Sequence, residues 1–263
     1  MSMFRTSVPP VVERVVLISS IFLLALAAWL AIWLSGDFAH SLLHLHKLDH
    51  HAHMLDHHAW TSGTFMLLFI GGWTMMTVAM MLPTSLPVIT IFQTFAGIRR
   101  DRSILITLLI IGYLGVWMLF GTIIYIGNLL LQGLVASSTL LRNHIWTGGP
   151  LILILAGAFQ FSSIKYRCLE KCRSPLSFVM EHWQGCNEKW NALRLGVGHG
   201  IFCVGCCWAL MLLMFVIGFG SLIWMLILAV LMAIEKNVPW GRQISAPLGI
   251  VLIGWGTVLI ALS

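Results

Sequence analysis

The stretch GVGHGIFCVGCCWALMLLMFVIGFGSLIWMLILAVLMAIEK runs from Gly196 to Lys236. It carries no acidic or basic residue before Glu235, and only Gly218-Phe219-Gly220 breaks its apolar run. A helix needs about 20 apolar residues to cross the hydrocarbon of a bilayer. The stretch therefore reads as two membrane helices joined by a glycine-marked turn.

The whole chain has the same character. Of its 263 residues 59% are hydrophobic and 9% charged, where a soluble domain carries about 25% charged residues. Such a chain cannot cover a globular surface with polar groups, so the lipid bilayer is its expected surroundings. The expected fold is all-α, a single polytopic membrane domain over residues 1–263 with about seven spans. These are residues 15–34, closed by Ser35-Gly36-Asp37; 62–82, stopped by Pro83; 103–127; 149–165; 196–217; 221–235; and 244–262. Arg5 and Arg14 precede the first run and no small-residue cleavage site follows it, so it reads as a retained helix. The chain has neither a phosphate-binding GxxxxGK[ST] loop nor a nucleic-acid signature, which sets aside nucleotides and nucleic acids as partners.

Basic residues orient the spans, because cytoplasmic loops collect Lys and Arg. With the N-terminus in the cytoplasm, 13 of the 15 basic residues fall on that side, and only Lys47 and Arg142 lie outside. The expected location is thus the inner, cytoplasmic membrane. Residues 35–61 then form an extracytoplasmic loop and residues 166–194 a cytoplasmic one.

Four residues of the opening stretch carry soft-metal chemistry. At 100° per residue, His199, Cys203, Cys206 and Cys207 fall within an arc of about 100° on one helix face. Cys203 stands at i,i+4 from Cys207 and i,i+3 from Cys206, spacings at which helical side chains meet. Thiolate suits Cu(I) or zinc. A lone membrane cysteine is ordinary packing; three on one stripe beside a histidine point to metal. His199 and Cys207 are separated by about 12 Å of helix rise, too far for one ion to take both readily. Gly196, Gly198 and Gly200 would let another helix approach this stripe closely.

Two further clusters lie at a similar depth. WTMMTVAMMLPTSLP (residues 73–87) offers Met76, Met80 and Met81. Thioethers favour Cu(I) over zinc, although methionine also fills gaps in apolar cores. KYRCLEKCRSP (residues 165–175) places Cys168 and Cys172 one helical turn apart among basic residues that favour thiolates, with Pro175 ending the helix. A reducing compartment argues for free thiols here. Whether the two cysteine clusters make one site or two stays open.

HSLLHLHKLDHHAHMLDHHAW (residues 40–60) holds eight of the eleven histidines. His46/His50 and His53/His57 are i,i+4 pairs. Such a tract captures metal by composition, with zinc, Cu(II) or nickel the expected ions outside the cytoplasm.

The strings MMTVAMMLPTSLP, GAFQFSSIKYRCLEKCRSPLSF and the opening stretch resemble the DUF2182 family, described as predicted metal-binding integral membrane proteins and sometimes labelled copper chaperones. The resemblance covers roughly residues 62–245 and implies metal binding at Met80, Met81, Cys168, Cys172, His199, Cys203, Cys206 and Cys207. The histidine-rich tract is not part of it.

Together these features predict a protein that holds or delivers Cu(I) without turnover, to other membrane subunits or a metal-receiving protein. An accessory subunit of a larger membrane-bound, copper-dependent enzyme is the alternative. A transporter is disfavoured because coupled transport uses intramembrane carboxylates and Glu235 stands only at a span end. A haem or quinone protein lacks paired intramembrane histidines. In a cysteine-free background, a cysteine introduced at position 50 is expected to react with an impermeant maleimide applied from outside, and one at position 180 to be protected. Outside labelling at position 180 would reverse the orientation.

Overall fold

The computed structural model describes residues 11–46, 63–97, 101–138, 147–182, 187–217 and 221–262. These residues form ten α-helices and one short 3-10 turn, with no strand among them. The helices are α1 (Val11–His46), α2 (Gly63–Met80), α3 (Leu86–Ala96), α4 (Arg102–Ser137), α5 (Gly148–Phe159), α6 (Ser163–Arg173), α7 (Pro175–His182), α8 (Glu188–Ile217), α9 (Leu222–Asn237) and α10 (Gly241–Leu262). The all-α expectation holds.

Among the described residues four helices are long and apolar enough to cross a membrane: α1, α4, α8 and α10. The count reaches six if α2 with α3, bent by 47°, and α5 with α6, bent by 63°, each make one span. Helix α9, counted from sequence as the sixth of seven spans, has 16 residues. Outward faces are apolar, as at Leu23, Leu67, Ile123, Ile223 and Ile250.

Local chemistry explains where helices stop and where they run on. Pro83 has no N–H to continue α2, so the chain turns through Pro83–Ser85 and restarts as α3, a helix the sequence reading did not anticipate. Gly97, at φ 65°, closes α3 in a conformation that favours glycine. Ser162 begins α6 by accepting from the Ile164 N–H. Pro175 opens α7, because a helix's first N–H is unpaired in any case. The expected stop at Ser35-Gly36-Asp37 does not occur, and α1 runs on to His46. One glycine costs a helix only about 1 kcal/mol, and no proline follows it. Of the histidine tract, His46 ends α1, while His50, His53 and His57 lie outside the described residues.

Two helix pairs touch backbone to backbone through glycine. The first is α4 with α8. A Cβ on Gly196 would lie 2.0 Å from the Leu109 carbonyl oxygen, and one on Gly112 would lie 2.5 Å from that of Leu193. Gly200 meets Val116 in the same seam, whereas Gly198 faces the edge of Phe178 at an ordinary distance. The second pair is α5 with α10, where Gly157, Gly249 and Gly256 make the corresponding approach. Small-xxx-small spacing is a common device of helix packing in membranes, and Gly196 and Gly200 supply it on α8.

Around this frame lies one apolar core with contributions from α1 to α9, including Trp73, Trp117, Phe92 and Met211. The core also holds charge. Arg102, Lys165 and Lys236 are buried, so three of the thirteen basic residues counted toward the cytoplasmic side are not loop charges. Adding one methyl at Gly196 should force α4 and α8 apart and cost about 1–3 kcal/mol. Melting curves followed by tryptophan fluorescence should show Gly196→Ala well below wild type and Gly198→Ala close to it; equal melting of the two would refute the seam.

Candidate metal centre

Helix α8 turns its cysteine stripe inward, and the described cysteines at 168, 172, 203, 206 and 207 are all free thiols. Cys203, Cys206, Cys207 and His199 are buried. Three elements close on the stripe: the kink after α2, the side of α4, and the end of α9.

The kink brings a sulfur. Met81 Sδ stands 3.9 Å from Cys207 Sγ. Breaking the helix exposes the Met81 carbonyl, which accepts from Thr84 Oγ1 at 2.8 Å, Ser85 Oγ at 3.2 Å and Tyr113 OH at 3.3 Å. Those three hydroxyls fix the residue whose thioether faces Cys207. Among the described residues no contact of hydrogen-bond range joins Met76 or Met80 to the cysteines; both are buried in α2.

From α4 comes Tyr113, whose hydroxyl lies 3.1 Å from Cys203 Sγ. Its ring stacks on His199 with centroids 5.4 Å apart, and Phe178 covers the imidazole from another side at 5.9 Å. His199 is thus held between the rings of Tyr113 and Phe178.

From α9 comes a charge. Lys236 is 7% exposed, and its ammonium donates to Cys203 Sγ at 3.0 Å, to Thr84 Oγ1 at 3.4 Å and to Met81 Sδ at 3.5 Å.

The second cysteine cluster adjoins the first. Cys172 on α6 is buried against α8, and Cys168 rests on Gly205, where a Cβ would lie 2.6 Å from its sulfur. The two strings form one continuous sulfur-lined region between α6 and α8. The Cys206 and Cys207 thiols each donate to the Cys203 carbonyl, at 3.1 and 2.9 Å. Among the described residues no three His, Cys, Asp or Glu side chains form a ready metal cage. What converges is two thiols and a thioether, a donor set for a soft ion of low coordination and a poor one for zinc, which takes four ligands in structural sites.

A buried polar network flanks the sulfurs. Lys165, fully buried, bonds Glu235 Oε1 at 2.7 Å, and Glu235 is 2% exposed. Ser245 donates to the same oxygen at 2.7 Å, and Gln160 accepts from Lys165. Arg173 holds the end of α9 through the carbonyls of Glu235 and Pro239, at 2.7 and 2.6 Å. Sequence reasoning missed Tyr113, Thr84, Lys165, Glu235 and Lys236. A signal for the last two existed: Met225, Leu228, Met232 and Glu235 recur at helical spacing on the buried face.

An all-helical fold with buried thiols and a thioether gathered at one place is suited to a soft metal ion. The profile of the PpoB2 copper chaperone family matches residues 70–259. The match spans most of the chain, and the chain belongs to this copper chaperone family. No curated protein and no solved structure matches it.

Glu235→Gln would leave Lys165 buried without its counter-charge and should cost about 3–5 kcal/mol. Replacing both partners, Lys165→Met with Glu235→Leu, should melt closer to wild type than either single variant. A double variant that melts lower than both would show that the pair is not what the two charges are there for.

Proposed function

We propose that the chain is an integral membrane copper chaperone, which holds Cu(I) at Cys203, Cys207 and Met81 and passes it to a receiving protein without turnover. The observation that carries this is the approach of the Met81 thioether to the Cys207 thiol, beside Cys203. With metal–sulfur bonds of about 2.3 Å, as in zinc thiolates, a trigonal ion would set its sulfurs about 4 Å apart; Met81 and Cys207 stand at 3.9 Å. Copper here is cargo. Cys206 and Cys172 offer the next pair of thiols along α8 and α6, a direction in which an ion could be handed on by ligand exchange. The resemblance to the DUF2182 family supports the same reading.

The apolar outward faces and the remaining basic residues support a multi-pass chain in the cytoplasmic membrane with its N-terminus inside. On that orientation the sulfur region lies toward the cytoplasmic end of α8. The histidine tract would meet metal on the other side, a separate role that rests on composition.

Copper per protein, measured by elemental analysis after anaerobic purification without a histidine tag, tests the assignment. The Cys203→Ser/Cys206→Ser/Cys207→Ser variant should lose most of its copper, about tenfold or more, while its melting curve shows a folded protein. Met81→Leu should weaken retention by a smaller factor. Unchanged copper in the folded triple variant would reduce the stripe to packing.

A further inference from the structure

We propose that the cavity between α1, α3 and α4 binds a phospholipid with an ethanolamine headgroup, its phosphate at Arg102 and its ammonium at Gln93. The inference rests on the membrane reading of the chain and is independent of the metal centre.

The cavity measures about 530 Å³. Its lining divides by depth. Glu13 lies in the first turn of α1 and Arg102 opens α4, so the charged groups stand where both helices begin. Ile106 and Ile110 line it one and two turns after Arg102, and Val16 and Leu17 one turn after Glu13. Eight residues of helix carry this apolar wall about 12 Å inward. Val12 and Val16 are also exposed, so the cavity opens on the outward surface, the side that lipid covers in a multi-pass protein. A polar end and an apolar shaft fit an amphiphile, with its head at the helix ends and an acyl chain along the wall.

Two buried groups specify the head. Arg102 is 7% exposed. Its Nη1 donates to Glu13 Oε2, while its Nη2 is buried with no hydrogen-bond partner among the described residues. Gln93 on α3 is 2% exposed, and its Oε1 is unpaired in the same sense. Both residues line this cavity, and a buried polar group left unmade is costly. Nη2 is a cationic donor and suits an anionic oxygen. The positive end of the α4 dipole favours phosphate at the same place. Gln93 Oε1 is an acceptor and calls for a donor. The Glu13 carboxylate already offsets the Arg102 guanidinium, and Arg14 is engaged with Thr94 outside this lining. The head that fits therefore carries an anion and a cationic donor together and no net charge. Phosphoethanolamine is that group. Phosphocholine has the same charges but no N–H to give Gln93, and a phosphoglycerol head has hydroxyl donors but brings a net negative charge.

The experiment titrates phosphatidylethanolamine and phosphatidylcholine of identical acyl chains onto the delipidated full chain in detergent. Bound lipid is read by native mass spectrometry, with melting curves as the folding control. Wild type should bind the ethanolamine lipid about tenfold more tightly, the gain from pairing one buried acceptor. Gln93→Leu, which replaces the amide by an apolar group of similar size, should bring the ethanolamine lipid down to the choline level. The Glu13→Gln/Arg102→Gln variant removes both charges together and should bind either lipid about tenfold less tightly or worse. Should that variant fail to fold, Gln93→Leu still decides. Equal binding of the two lipids by wild type, or an unchanged preference in Gln93→Leu, overturns the assignment. So does displacement of the lipid by inorganic phosphate, which would make this a site for a free anion, or tighter binding of phosphatidylglycerol, which would make the head anionic. Copper per protein should be the same in Gln93→Leu as in wild type, so the metal reading stands or falls separately. A chain that leaves the membrane fraction without detergent would overturn the membrane reading and this inference together.

Discussion

The contact between α4 and α8 is closer than side chains would permit. At Gly112 and Gly196 the two helices meet with backbone against backbone, Gly200 receives the Val116 side chain in the same seam, and any Cβ at Gly196 would collide with the Leu109 carbonyl. Tyr113 follows directly on Gly112, so the seam that brings the helices together also sets the phenol at Cys203 and its ring against His199. The position of the thiols therefore depends on the absence of three side chains. Helices in lipid associate by fit more than by the hydrophobic effect, and here the fit is also what shapes the candidate site.

Charge imposes the second constraint. Burying Lys165, Glu235 and Lys236 next to a sulfur cluster is expensive unless each finds a partner. Glu235 joins α9 to α6 through Lys165 and to α10 through Ser245. Arg173 pins the same turn of α9 through backbone carbonyls. With that turn fixed on three sides, Lys236, the next residue, has one direction left, toward Cys203 and Met81. The ion pair acts on the sulfur site as a positioning element while touching none of its thiols.

Composition and hydropathy were enough to recover an all-helical fold, because 9% charge leaves a chain few alternatives. They misjudged the breaks. The stop at Pro83 was legible but not the helix that restarts after it, and a window of apolar residues does not register the bend at Gln160–Ser162 and treats the short α9 like a full crossing. Helical phase placed Cys203, Cys206 and Cys207 on one face, and it could do so because all three sit on a single unbroken helix. Phase failed at Met81, which lies beyond the end of α2, where the wheel no longer applies. Lys236 and Glu235 were hidden for another reason. Charges at the end of an apolar run are normally read as the edge of the membrane, and only the continued spacing from Met225 through Met232 shows that the buried face carries on through them. Tyr113 had no sequence signal, since its place depends on a neighbour far away along the chain.

The Met81 carbonyl is the acceptor for three hydroxyls, those of Thr84, Ser85 and Tyr113. A methionine is among the most mobile of buried side chains, and freezing one on the arrival of a ligand carries an entropic cost. Here the main chain beneath the thioether is already clamped by two local hydroxyls and one from a separate helix. Part of the ordering that the proposed donor would require is therefore complete when the protein folds. A carrier with a partly prearranged donor spends less of its binding energy on its own reorganisation, and less is left to be regained when the cargo departs.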